Sequence, residues 1–457
     1  SRQKPYLDPV RFPRLPAALR PFLGGPDAET TYRKSQRYAR HKLSFASVTS
    51  VVALVQAFVL LTDLARPVVA RWYDVPVPRA GPWTLLTGLW DAAGRVPGVG
   101  ASELRHTAAF IAGMNVLGTA IGVPEGLYKN FVLEERHGFN KMTYSTFVTD
   151  LIKGLALSFA LEIPLTVALI ALIHWVGHSA VLRLVAYVLG FSTLVVVLMV
   201  PLGPYVIMPL FNTFTPLATD HPVYPKVEAL AKRVGFPCDR IYVIDGSKRS
   251  SHSNAFVTGI PGLQKQIVIY DTLLDKASPD EVEAIVAHEL AHWKFSHIVY
   301  LLVTALTQIA FSLSLFTLFL SNESLLASFG FFSHHPAGAV VADKLGLAAS
   351  SASSRAGPTV ISLFLASTLF SPLSAFLAFV TNSITRRLEY DADAFAVRLG
   401  PATAQNLKTA LVGIHEKNLA VYAVDPVYSA WNHNHPTLVE RLEALDRELV
   451  KANDKTK

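Results

Sequence analysis

Residues 181–210 read VLRLVAYVLGFSTLVVVLMVPLGPYVIMPL and hold a single ionised side chain, Arg183. A run of this length and apolarity crosses a bilayer as a helix. Five similar runs lie near 44–62, 107–133, 151–176, 298–320 and 358–381, so six spans are predicted. Composition agrees: the chain has 457 residues, 51% of them hydrophobic and 16% charged, with a mean hydropathy of +0.35. That is too apolar for a set of soluble domains. The fold class expected is an α-helical polytopic membrane protein.

The spans divide the chain into a basic N-terminal segment (1–43), four membrane helices (44–210), an α+β segment (211–297), two membrane helices (298–381) and a helical C-terminal segment (382–457). With this count, 1–43, 134–150, 211–297 and 382–457 share one side, and 31 of the 41 Lys and Arg fall there. The positive-inside rule assigns that side to the cytosol. The net charge of +7 is therefore a signature of topology, and nucleic acid is not an expected partner. The cluster from Lys34 to Lys42 suits lipid headgroups or the mouth of the first span, and equally a solvated basic helix. Residues 67–106, with Trp83 and Trp90 among prolines, glycines and charges, read as a loop with interfacial aromatics. Residues 321–357, ending in the run from Ala348 to Ser354, read as a flexible loop. Cys238 stands alone, so no intrachain disulfide is expected. The opening forty residues hold no apolar signal region, and the first residue is Ser1, so an N-terminal trim is expected.

Several spans carry features unsuited to a plain lipid-facing helix. Glu125 follows Pro124, Glu162 lies beside Pro164, Pro201 and Pro204 interrupt the fourth run, and Pro372 the sixth. Carboxylates at membrane depth are costly unless they face protein or water, so these helices are expected to line an aqueous interior. Glu125, closer to a span end, has the alternative of reaching the headgroups.

Between Asn212 and His297 the pattern becomes that of a soluble unit. A helix near 222–235 precedes short β runs at 241–244, 255–257 and 267–270. Then comes Ala287-His288-Glu289-Leu290-Ala291-His292, an H-E-x-x-H motif within a stretch, Pro279 to His297, free of internal Gly and Pro. Residues four apart share a helix face, so His288 and His292 can address one metal ion with Glu289 beside them. A chance match on a polar face is the alternative. A catalytic zinc site takes three protein ligands, so a third is sought on the same side of the membrane. Glu389 and Asp393, four apart after the sixth span, fit: two spans separate them from His292, an even number. Glu389 is the candidate ligand, and Asp393 the acceptor for a ligand histidine's other ring N–H. Glu389 has the alternative of pairing with Arg386 or Arg387, and Asp391 competes as the acceptor. An edge strand just ahead of the metal helix can pair with an extended peptide.

Five motifs then occur in order along nearly the whole chain: Glu134 to Asn140 (EERHGFN), Gly246 to Ala255 (GSKRSSHSNA), His288 to Lys294 (HELAHWK), Arg387 to Ala394 (RLEYDADA) and His435 to Leu442 (HPTLVERL). With them the chain resembles the type I CAAX prenyl protease family, multispan zinc metalloproteases that process the mating pheromone a-factor and prelamin A. The resemblance implies a helical barrel around a large aqueous chamber, with a small α+β zinc-protease domain on the cytosolic side. It implies one zinc ion held by His288, His292 and Glu389, and Glu289 as general base. Asn254, with Ala255 and Phe256 after it, matches a position near the substrate backbone, while His435 and Arg441 match residues near the scissile bond. His435 would then donate to a developing oxyanion and Arg441 orient the site through a carboxylate. The alternatives are a helix-start histidine before Pro436 and a solvated arginine.

The implied substrate is a prenylated protein ending in C-a-a-X, cut after the lipidated cysteine, with a second upstream cut on some substrates. The implied address is the endoplasmic reticulum or inner nuclear membrane. A membrane quality-control zinc protease is the rival reading within the class, and a zinc-containing scaffold or transporter the rival outside it. Two departures stand out: a seventh, upstream span of the family has no counterpart, and Ala291 replaces a usual glycine.

Overall fold

The computed structural model describes all residues except 1, 9, 13, 17–18, 22, 24–26, 66–83, 100–101, 178–180, 239, 259–264, 317–322, 332–357 and 455–457. The first helices are α1 (Ala28–Leu61), the short α2 (Leu85–Gly94), α3 (Glu103–Tyr128), α4 (Tyr144–Val176) and α5 (Val181–Leu202). Five described helices are long and apolar enough to cross a membrane, or six when one bent pair counts as a span. That pair, Thr359–Leu369 and Ser371–Leu399, is bent by 63°. Pro372 sits in the first turn of its second member, where a proline is tolerated, while its ring clashes with a helix continuing from before it. Pro124 and Pro201 remain inside helices, but each is followed by a π-helical stretch, Lys129–Glu134 and Gly203–Ile207.

Neighbours around the membrane part follow in the order α1, α3, α4, α5, then α8 (His297–Phe316), then the long helix after the bend. In the most apolar window of each of the five straight spans, at most 17% of residues are buried. Packed bundles hide a stripe of every helix; here the helices stand as a wall one helix thick, with both faces open. Glu125 and Glu162 are exposed on that wall.

One expectation is corrected. Within 67–106, expected to be a loop, α2 forms because Thr84 caps it, its side chain accepting from Thr87 N. Trp90 is buried there and stacks on His106 with centroids 3.6 Å apart, while Trp83 lies outside the described residues. The basic cluster at 34–42 lies on α1, which begins at Ala28 and runs unbroken into the apolar run. In 321–357 a short helix, Glu323–Ser328, is present, and the run from Ala348 to Ser354 lies outside the described residues.

The soluble unit is a four-stranded sheet covered by helices. Strands β1 (Phe214–Pro216), β2 (Arg240–Ile244), β3 (Ala255–Thr258) and β4 (Gln266–Tyr270) lie in the order β1-β2-β4-β3. Only the β2/β4 pair is parallel, and β3 forms an edge with register Ala255 to Ile269. Strand β1 was not expected: three residues interrupted by Pro216 carry no alternation to read. Helices α6 (Val223–Val234) and α7 (Pro279–Lys294) close the core, where Val227, Leu230, Ile267, Ile269, Val286 and Leu290 are fully or nearly buried. Helix α7 starts at a capping box, Ser278 with Glu281, and Pro279 at its first position has no N–H to satisfy. Ser278→Ala is expected to cost about 1 kcal/mol, read as a lower melting temperature.

Helix α9 (Thr359–Leu369), α10 (Ser371–Leu399), α11 (Pro401–Lys417), α12 (Pro426–Asn432) and α13 (Leu438–Asp454) complete the chain. Helix α7 packs against α6, β3, α10 and α11, with buried Ala284, Ala287 and Ala291 permitting close approach. This packing brings α10 and α13 beside the H-E-x-x-H face.

Candidate metal centre

His288 and His292 leave the same face of α7, and Glu389 reaches them from α10. His288 Nε2 lies 3.2 Å from His292 Nε2 and 3.3 Å from Glu389 Oε2. His292 Nε2 lies 3.4 Å from Glu389 Oε1, and the three groups offer ligand atoms all within 4.8 Å of one another. Glu389 is 3% exposed. Neither Arg386 nor Arg387 takes it: Arg386 pairs with Glu440 at 2.9 Å, and Arg387 approaches Asp391 at 3.8 Å.

The surroundings set the direction of each donor. Asp393, one turn beyond Glu389 and 1% exposed, accepts at 2.9 Å from His288 Nδ1. The proton is thereby assigned to Nδ1, and the Nε2 lone pair faces His292 and Glu389. Arg441 on α13 donates twice to Asp393, Nε to Oδ2 at 2.9 Å and Nη2 to Oδ1 at 2.6 Å, and its Nη1 is 3.9 Å from Glu389 Oε2. Asp391 is turned away to the exposed side. Burial pushes the Glu289 carboxyl up to about 7, helped by the like charge of Glu389. Burial also presses His292 down to about 3, so its ring is neutral.

The donor set fits a metal. Glu389 Oε2 is buried and has no hydrogen-bond partner of acceptable geometry. Two imidazole nitrogens and a carboxylate converge on one point, an arrangement that a cation satisfies. Two nitrogens and an oxygen of this kind suit zinc.

His435 reaches the same point from the loop before α13, its Nε2 3.3 Å from Glu389 Oε1 with the side chain half exposed. Asn254 directly precedes β3, which Ala255 and Phe256 begin: Asn254 Oδ1 accepts from Ala255 N, its carbonyl accepts from Tyr270 N, and β3 packs on α7. One residue at the site escaped the sequence reading, and a second, Arg386, was weighed only as a partner for Glu389. His297 is buried with Nδ1 2.8 Å from His292 Nδ1, brought there because Ser296 turns the chain with φ +55°. Arg386 donates to the His435 carbonyl at 3.1 Å and so holds that loop. Its position three residues before Glu389 was the available signal.

Asp393→Ala is expected to destabilise the protein by about 3–5 kcal/mol, because it leaves Arg441 enclosed without its carboxylate. Thermal or denaturant unfolding measures this; a loss below about 1 kcal/mol would show that Glu389 compensates for the missing partner.

A ring of membrane helices joined to an α+β unit, with two histidines and a carboxylate converging on one point, defines a membrane-embedded metallopeptidase. Residues 11–213 match the family model described as CAAX prenyl protease N-terminal, five membrane helices, and residues 218–449 match peptidase family M48. The chain is 37% identical to CAAX prenyl protease 1 of Saccharomyces cerevisiae, covering 94% of this chain and 88% of the relative. It is 30% identical to the human CAAX prenyl protease 1 homolog, covering 84% of each. The crystal structure of S. mikatae Ste24p superposes with a TM-score of 0.81 at 34% identity, covering 97% of this chain and 94% of that one. The chain belongs to the CAAX prenyl protease 1 family of M48 metallopeptidases.

Proposed function

We propose that the protein is a zinc endopeptidase that removes the aaX tripeptide from prenylated proteins ending in C-a-a-X, with a second upstream cut on some substrates. The observation that carries this reading is the convergence of His288, His292 and Glu389, the first and last of them buried, with Glu389 Oε2 making no hydrogen bond of acceptable geometry. The names of the relatives support the substrate class. His288, His292 and Glu389 hold the zinc, and Asp393, Arg441 and His297 keep the two rings in their ligating tautomers. When bound, zinc supplies Lewis acidity and an acidified water.

The chain's own residues do the rest. The outer edge of β3, from Asn254 through Ala255 and Phe256, hydrogen-bonds the main chain of an extended substrate. Glu289 accepts a proton at its carboxylate from the attacking water and returns it to the leaving amine. His435 donates to the oxyanion as charge develops on the scissile carbonyl. The open-faced helix wall supports a hollow interior that admits a peptide tethered by its lipid.

The basic excess on the side of α7 supports a cytosolic active site, and the family resemblance supports the endoplasmic reticulum or inner nuclear membrane. The test compares cleavage of a farnesylated C-a-a-X peptide with its unprenylated control, with and without a chelator. Faster cleavage of the farnesylated peptide, lost with chelator and restored by zinc, is expected. Equal rates for the two peptides would overturn the assignment of substrate.

A further inference from the structure

A second pocket lies between α1, the loop after α3 and the turn after α11, and the proposed hydrolysis does not use it. Its volume is 590 Å³, and Lys34, Arg37, His41, Arg136, His137 and Leu419 line it. On α1, Lys34, Arg37 and His41 are spaced three and four apart and so share one helix face. Arg136 and His137 face them from the opposite wall, where Gly138 turns the chain with φ +79°. His41 Nδ1 and His137 Nε2 lie 3.0 Å apart and share a hydrogen, which leaves one further nitrogen on each ring.

No carboxylate lines the pocket. Glu134, whose charge acts on His137, shares the single hydrogen of the Tyr38 hydroxyl between its two oxygens, at 2.9 and 2.8 Å. Among the described residues, none of Lys34, Arg37 and Arg136 enters an ion pair. Lys34, Arg37 and Arg136 all stand at exposed positions around this hollow, and three like charges lining it favour an anion that joins them. Guanidinium forks match the oxygens of a phosphate, and a lysine adds a compact charge. About two turns beyond His41, α1 exposes Val48, Val51 and Val52, so the pocket opens where the chain enters the bilayer.

We propose that this pocket binds a phosphate ester dianion, drawn either from an anionic lipid headgroup or from the soluble phosphate pool. The test uses the full chain. Retention of phosphatidylinositol 4-phosphate is measured in phosphatidylcholine nanodiscs, and binding of inorganic phosphate is measured separately in lipid-free detergent. R37Q/R136Q is compared with R447Q/K451Q, which removes the same charge from the exposed face of α13.

Wild type and R447Q/K451Q are expected to bind alike, and R37Q/R136Q about 30-fold more weakly. K34Q, at an exposed position, is expected to lose about 5-fold and decides the matter if the double variant does not fold. Retention of the lipid without binding of inorganic phosphate supports the headgroup as source, and binding of inorganic phosphate alone supports the soluble one. Equal binding by R37Q/R136Q and R447Q/K451Q, or no binding of either probe by wild type, would overturn the proposal.

Discussion

Glu289→Gln is expected to slow peptide cleavage about 10³-fold while leaving the metal content unchanged. The carboxylate sits one residue from His288 on α7 but takes no part in the converging donor group, so its loss spares the ligands. Burial raises its carboxyl to about 7 in the metal-free site. A group so tuned takes a proton from water more readily and gives it up again to a leaving amine. Glutamine keeps the shape and can still accept a hydrogen bond, but it cannot hold the proton. Rates on a farnesylated peptide and metal analysis of the same preparation decide the matter. A variant with full metal and more than about a tenth of the wild-type rate would remove Glu289 from the role of base.

The second large effect is expected at Glu389. Glu389→Ala should lower zinc affinity by more than about 100-fold, beyond what loss of an outer hydrogen-bond partner typically costs, and abolish cleavage as His288→Ala does. The reason is geometric: two imidazoles from one helix leave a catalytic site short of its third protein ligand. The variant also leaves Arg441 with its bidentate partner Asp393, so the fold should persist. Metal content measured beside thermal stability separates the two consequences. Wild-type occupancy in Glu389→Ala would exclude Glu389 as a ligand. Loss of metal together with loss of the fold would mark its role as structural.

Much of the architecture is legible from the chain because its causes are local. Bilayer thickness sets the length of an apolar run, and helix period sets the spacing of His288 and His292 and of Glu389 and Asp393. The Ser278 capping box and the Pro372 break are likewise decided within a few residues. What escaped reading was less regular. Helix α2 is short, and its burial of Trp90 depends on His106, which lies outside it. Strand β1 has only three residues, and its pairing partner β2 is separated from it by a whole helix.

The sequence by itself determined a membrane chain with an H-E-x-x-H helix and a matching carboxylate helix beyond further apolar runs. Only the tertiary structure decided which face each helix turns inward. It aimed Glu389 at the two rings and gave Asp393, not Asp391, to His288. It assigned Arg386 to Glu440 and the His435 loop, and it brought His297 behind His292. Spacing along a helix specifies which side chains share a face. The rotation of that face toward another helix is set by packing between segments distant in sequence, here the small residues of α7 against α10 and α11.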